Sequence, residues 1–137
     1  VIRKAVLDDV PELVRLGQAF HERMVYNAHP FSAEAFEEAV TGYIESPDIG
    51  IWAGERAMAV AMVGTHPATG HRMATELLLY SEGAKQGLAL LIEMKNWAKD
   101  KGASDLILTD QMNMRDLASL YQQIGAEPVE RVYRAEL

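Results

Sequence analysis

Between Ser81 and Leu88 the chain reads Glu82-Gly83-Ala84-Lys85-Gln86-Gly87, set between a short apolar run and a long amphipathic one. A strand that feeds straight into a helix leaves the first helical N–H groups without intrahelical partners, and these groups make a ready anion site. Gly83 and Gly87 flank the turn, and Lys85 adds a cation. Two glycines at this spacing suit a plain helix start as well as a phosphate cradle. Groups able to move a proton stand around this stretch. Glu76 opens the apolar run, Asp110 closes the next one, His66 and His71 flank a turn, and Tyr121 sits in a late helical segment. The same residue types also serve as solvated surface groups or half-buried helix tyrosines.

Other chemistries are excluded or unsupported. The 137 residues include no cysteine, so disulfides, zinc–thiolate sites and a cysteine nucleophile are ruled out. His21, His29, His66 and His71 lack metal-ligand spacing, and no metal is expected. No Gly-x-Ser-x-Gly nucleophile elbow occurs. A net charge of −7 gives no general help with nucleic acid, and no nucleic-acid partner is expected. An anionic ligand would need a local patch, for which Lys85, Lys95 and the helix N-terminus are candidates. The acidic balance mildly favours a basic acceptor such as an amine. No apolar run approaches a membrane span, so neither a membrane partner nor a secretory leader is expected. The absence of cysteine fits a reducing compartment, and the expected location is cytoplasmic.

The elements that must position these residues follow from pattern. Residues 1–7 read as a strand, and Asp9-Val10-Pro11-Glu12 has the form of a capping box with proline in the first turn. Leu13, Leu16, Phe20 and Met24 carry a helix that Pro30 ends. Ser32 caps a second helix through Phe36, Val40 and Ile44. Residues 49–53 and 57–65 form a hairpin across Gly54-Glu55-Arg56, and a further strand follows the turn at 66–70 and ends at Ser81. The small residues of Ala57-Met58-Ala59-Val60-Ala61 suit a strand covered closely by helices. Leu88, Leu91, Ile92, Met94, Trp97 and Ala98 fall mostly on one face of a long helix that Gly102 stops. A strand at 104–109, a helix at 117–124 and a late edge strand at 128–137 complete a single domain over residues 1–137. This order gives a sheet with helices on both faces.

The strand–loop–helix unit, with its continuation Trp97-Ala98-Lys99-Asp100-Lys101-Gly102-Ala103, resembles the acyl-CoA-binding core of the GNAT-type N-acetyltransferases. The resemblance covers most of the chain. It implies an α+β (α/β) fold: a mixed, mostly antiparallel central sheet of about six to seven strands, with helices on both faces. Strands 76–81 and 104–109 would splay apart to admit acetyl-CoA as cosubstrate. The family's loop, Arg/Gln-x-x-Gly-x-Gly/Ala, holds the CoA pyrophosphate on backbone amides. Here it is degenerate: Glu82 stands where a basic or amide residue is usual, and Lys85 replaces the middle glycine.

By this resemblance the cofactor-binding residues are Leu78, Leu79, Tyr80, Ser81, Gly83, Ala84, Lys85, Gln86, Gly87, Leu88 and Asn113. Tyr121 matches the family tyrosine that protonates the leaving thiolate, although Gly125-Ala126 lacks the usual aromatic after the glycine. A phenol is a sensible acid for a thiolate of somewhat lower pKa. Glu76 is the first choice of base by position, Asp110 the second, and His66 and His71 stay open. Tyr26, Phe31, Tyr43 and Trp52 could line an acceptor pocket or simply pack the core. The implied function is acetyl transfer to an amine of a small molecule or peptide. The alternative is a catalytically inactive binding or structural protein of the same fold, for example a phage-encoded one. A homodimer stays open as the assembly.

Overall fold

The computed structural model describes residues 1–24, 27–83, 86–110 and 117–137. The element order is β1 (Arg3–Lys4), a 3-10 turn (Leu7–Asp9), α1 (Val10–Arg23), α2 (Ala33–Glu45), β2 (Ile49–Gly54), β3 (Ala57–Thr65), β4 (Arg72–Ser81), α3 (Gly87–Asp100), β5 (Asp105–Ile107) and α4 (Ala118–Gln122). The strands form one sheet in the order β1-β2-β3-β4-β5. Neighbours are antiparallel except β4 and β5, which run parallel.

Two layers of side chains cover the sheet. On one face Ala57, Ala59 and Ala61 of β3 are fully buried beneath Leu90, Leu91, Met94 and Trp97 of α3. Alanine at alternate positions lets the helix lie close to the strand. Of the apolar stripe read from the sequence, Leu91, Met94, Trp97 and Ala98 are buried. Ile92 is 43% exposed, Leu88 is half-buried, and Leu90, outside that stripe, takes a core place. Trp52 meets Trp97 edge-on, with ring centroids 5.4 Å apart. On the other face Met58, Val60 and Tyr80 pack against Val10, Leu13 and Leu16 of α1 and Val40 of α2.

The ends of the helices show what stops and starts them. Ser32 caps α2, its hydroxyl accepting from the Ala35 N–H at 3.1 Å. Gly102, at φ +84°, ends α3: its N–H donates to the Lys99 carbonyl and that of Ala103 to the Ala98 carbonyl. The capping box expected at Asp9 differs from what forms. The Asp9 carboxylate turns back, accepting the Val6 N–H at 2.8 Å and a forked pair of bonds from Arg3. The first strand is accordingly cut to Arg3–Lys4, because the 3-10 turn takes the residues that follow.

Among the described residues the sheet has five strands rather than six to seven. The missing one is the late edge strand expected at 128–137. Its alternation is present, but Val129, Val132 and Tyr133 are 70–82% exposed and enter no ladder. Alternation supplies a strand's two faces, and a hydrogen-bonded neighbour must supply the rest.

Candidate functional site

The site begins with a slip in register. Val60 pairs with Leu78, but the next residue of β3, Ala61, pairs with Glu76, so Leu77 is an extra residue in β4. Such a bulge leaves its residue outside the ladder and bends the strand. It also reverses which side chains face which layer. Before the bulge Ala74 belongs to the α3 layer, and Glu76 shares its face. Beyond it Leu78 and Tyr80 belong to the α1–α2 layer and Leu79 to the α3 layer.

The second feature is the short parallel pair. β5 meets β4 only from Met73 to Thr75, partnered by Asp105 to Ile107. Residues 76–81 therefore run on past the end of their neighbour. A cavity of about 500 Å³ opens along this edge. Of the residues expected to act there, Glu76, Leu78, Leu79, Tyr80, Ser81 and Gly87 line it. Phe20, Glu22, Arg23 and Thr109 line it as well and were not foreseen from sequence.

Glu76 is 6% exposed. Its Oε2 accepts a 3.0 Å hydrogen bond from the Thr109 hydroxyl. Burial raises its pKa to about 7, and the Thr109 bond opposes the rise. Tyr121, 8% exposed, donates its hydroxyl hydrogen to the Thr109 backbone carbonyl at 2.5 Å. Its pKa is pushed up by burial first, then by the negative charges of Glu76 and Asp110. Thr109 thus joins the two expected catalytic residues, one through its side chain and one through its backbone. The only sequence signal for it was its place at the C-terminal end of an apolar run.

At the loop, the Ser81 hydroxyl donates to the Gly83 carbonyl at 2.5 Å and accepts the Gly83 N–H at 3.2 Å. Glu82 is held by two arginines: Arg15 donates to both carboxylate oxygens at 2.8 and 3.4 Å, and Arg56 to Oε1 at 3.2 Å. These guanidinium groups keep its carboxyl below the usual range, with Arg15 the larger cause. The Gln86 side chain turns away from the cavity and donates to the Glu55 carbonyl in the β2–β3 turn. Gly87 admits Leu120, whose Cδ2 would lie 2.9 Å from any Cβ placed there. Leu88 is half-buried in the first turn of α3 and does not line the cavity. Ala84, Lys85 and Asn113 lie outside the described residues, as does Tyr26.

Several candidates sit elsewhere. His66 and His71 stack with ring centroids 5.2 Å apart at the β3–β4 turn, before β4 begins, and His71 Nε2 lies 2.9 Å from Asp105 Oδ2. Trp52 is core, Phe31 rests between His21 and Phe36, and Tyr43 packs with the α1–α2 layer. Lys95 reaches the Ile124 carbonyl at 3.5 Å rather than the loop. Among the described residues no helix is long and apolar enough to cross a membrane.

No family model matches the chain, and neither does any curated protein. Solved structures do resemble it. An integron cassette protein from the mobile metagenome of Cole Harbour Salt Marsh is 21% identical with a TM-score of 0.78, the match covering 99% of this chain and 89% of that one. A ribosomal-protein-alanine N-acetyltransferase from Brucella melitensis biovar Abortus is 17% identical with a TM-score of 0.73, covering 100% and 99%. A predicted acetyltransferase with acetyl-CoA from Clostridium acetobutylicum is 16% identical with a TM-score of 0.75, covering 99% and 95%. At these identities the likeness is one of fold, and that fold is the one found in acetyltransferases.

Proposed function

We propose that the chain is an acetyl-CoA-dependent N-acetyltransferase of the GNAT type, acting on an amine of a small molecule or peptide. The observation that carries this reading is the cavity at the parting of β4 from β5, with a buried carboxylate of pKa about 7 on its wall. A strand that runs on past the end of its neighbour can bind an extended chain such as pantetheine by strand addition. The N-terminus of α3 and the Ser81–Gly83 turn lie at one end of that edge, where amides would meet phosphate. Glu82 alone would oppose phosphate, but Arg15 and Arg56 flank it, Arg15 being shared with Glu12, so that the cluster is balanced in charge.

In this reading the neutral amine attacks the thioester carbonyl carbon, and backbone N–H groups of the bulged strand polarise the carbonyl oxygen. The tetrahedral intermediate collapses with cleavage of the C–S bond. Glu76 accepts the proton lost by the amine, which its raised pKa suits near neutral pH. Tyr121 delivers a proton to the departing thiolate, and the Thr109 carbonyl holds its hydroxyl until then.

The test is the thermal unfolding midpoint with and without millimolar acetyl-CoA. Ligand at about 100 times its Kd adds about 2.7 kcal/mol, roughly 10 °C in a chain this size. A rise supports the reading, and thiol release with an amine panel then extends it. No shift at any concentration sinks it and favours the second reading, a binding protein of this fold without acyl-CoA chemistry. The carboxylate of Glu82 at the loop is the observation on that side.

A further inference from the structure

Arg23 is set apart from the arginines around it. Arg3 is paired with Asp9, Arg15 with Glu12 and Glu82, and Arg56 with Glu82. Arg23 lines the cavity, yet among the described residues it has no carboxylate partner. Its guanidinium donates to the Tyr80 hydroxyl and lies over the Tyr80 ring, 5.5 Å from the centroid. Tyr80 is itself 5% exposed and braced edge-on by Phe20 at 5.9 Å. A neutral hydroxyl and a ring face position a guanidinium without cancelling its charge. The C-terminal end of α1 favours a cation there too. In a chain of net charge −7, a cavity arginine held by a neutral hydroxyl and a ring face, with no ion pair among the described residues, can receive an anion.

The cavity therefore has two poles. Glu76 gives it a side that attracts an amine, and Arg23, next to Glu22 on α1, gives it a side that binds an anion. The poles approach the open edge of β4 from different layers, Glu76 from that of α3 and Arg23–Tyr80 from that of α1.

We propose that the acceptor is an amine that also carries a carboxylate or phosphate group, which docks on Arg23. The proposal rests on the acetyltransferase reading for its chemistry, and on Arg23 and Tyr80 for its specificity. Transfer leaves the anionic group untouched: the amine nitrogen gains the acetyl group and loses its proton, and Arg23 only positions.

The experiment uses matched pairs. Each α-amino acid, together with phosphoethanolamine, is compared with the amine that lacks its anionic group. Stabilisation of the full chain and acetyl transfer are both measured, in wild type and in Arg23→Met. At least one anionic member should stabilise the wild type and be acetylated with a KM about tenfold lower than its neutral counterpart. Arg23→Met should remove that difference through KM, Arg23→Lys should restore part of it, and the Kd of acetyl-CoA should hold. Equal treatment of both members of every pair, or preference surviving in Arg23→Met, overturns the proposal while leaving acetyl-CoA binding intact. Weakened acetyl-CoA binding in Arg23→Met, with acceptors unaffected, assigns the anion to the donor and also overturns it. Failure of the acetyltransferase reading shows separately, as no stabilisation of wild type by acetyl-CoA.

Discussion

Thr109 donates its hydroxyl to Glu76 at 3.0 Å across the gap where β4 leaves β5. Among the described residues it is the one hydrogen bond to a carboxylate that is 6% exposed. A neutral carboxyl group needs little more, whereas an ionised one does. The protonation of Glu76 is therefore tied to folding, to acid–base function and to Thr109.

Glu76 should make the wild type less stable as pH rises. Its folded pKa, about 7, lies above the ordinary 4.5, so the folded state holds a proton that the unfolded state has lost between those values. The contribution to stability is full below pH 4.5, falls through the window up to about 7, and is then level. The interval corresponds to about 3 kcal/mol. Glu76→Gln keeps an acceptor for Thr109 and removes the titration. It should match wild type near pH 4.5 and be the more stable above pH 7 in urea melts. A pH-independent difference would mean that Glu76 titrates normally.

The same variant should remove the step near pH 7 from the transfer profile, together with most of the activity. In wild type, kcat/KM should rise through pH 7 as Glu76 ionises. Thr109→Val removes a bond that favours the ionised form, so its rise should come at higher pH. A profile identical in Thr109→Val and wild type would detach Thr109 from the base.

Tyr121→Phe removes a buried hydroxyl and leaves the Thr109 carbonyl without that donor. We expect about 1 kcal/mol less stability. We also expect kcat lowered about 100-fold with the Kd of acetyl-CoA unchanged, the signature of a lost general acid. Unaltered kcat across the pH range would leave Tyr121 a purely structural residue.

Glu82→Gln should tighten acetyl-CoA binding, because it removes the carboxylate that Arg15 and Arg56 share and leaves Arg56 without it, while Arg15 keeps Glu12. The gain should be several-fold at low salt and should shrink with added salt, as screened charges do. Calorimetric titration at two ionic strengths reads this directly. Equal Kd values for variant and wild type would place the phosphates away from the arginine pair.

Gly102→Ala tests the end of α3. A side chain at φ +84° is strained, and we expect a loss of about 1 kcal/mol, a few degrees in Tm, with ligand binding unaffected. An unchanged Tm would show that the turn relaxes.

Much of the fold was legible because its signals are local. Leu91, Met94, Trp97 and Ala98 of α3, the cap at Ser32, the stop at Gly102 and the alanines of β3 each act within a few turns of helix or a span of strand. The residue types of the site, a carboxylate at the start of an apolar run and a tyrosine in a late helix, were legible too. What the sequence did not carry depends on neighbours far along the chain. The bulge at Leu77 arises from pairing with β3, and it decides which of the residues from Glu76 to Tyr80 face each layer. Residues 128–137 alternate as a strand should, yet among the described residues they join no strand ladder. Arg15, Arg23 and Thr109 reach Glu82, Tyr80 and Glu76 from 67, 57 and 33 residues away. By itself the sequence determined the elements and the chemical groups, since those follow from propensity, periodicity and side-chain type. Only the tertiary structure decided which groups meet, because hydrogen bonds and ion pairs form between neighbours in space.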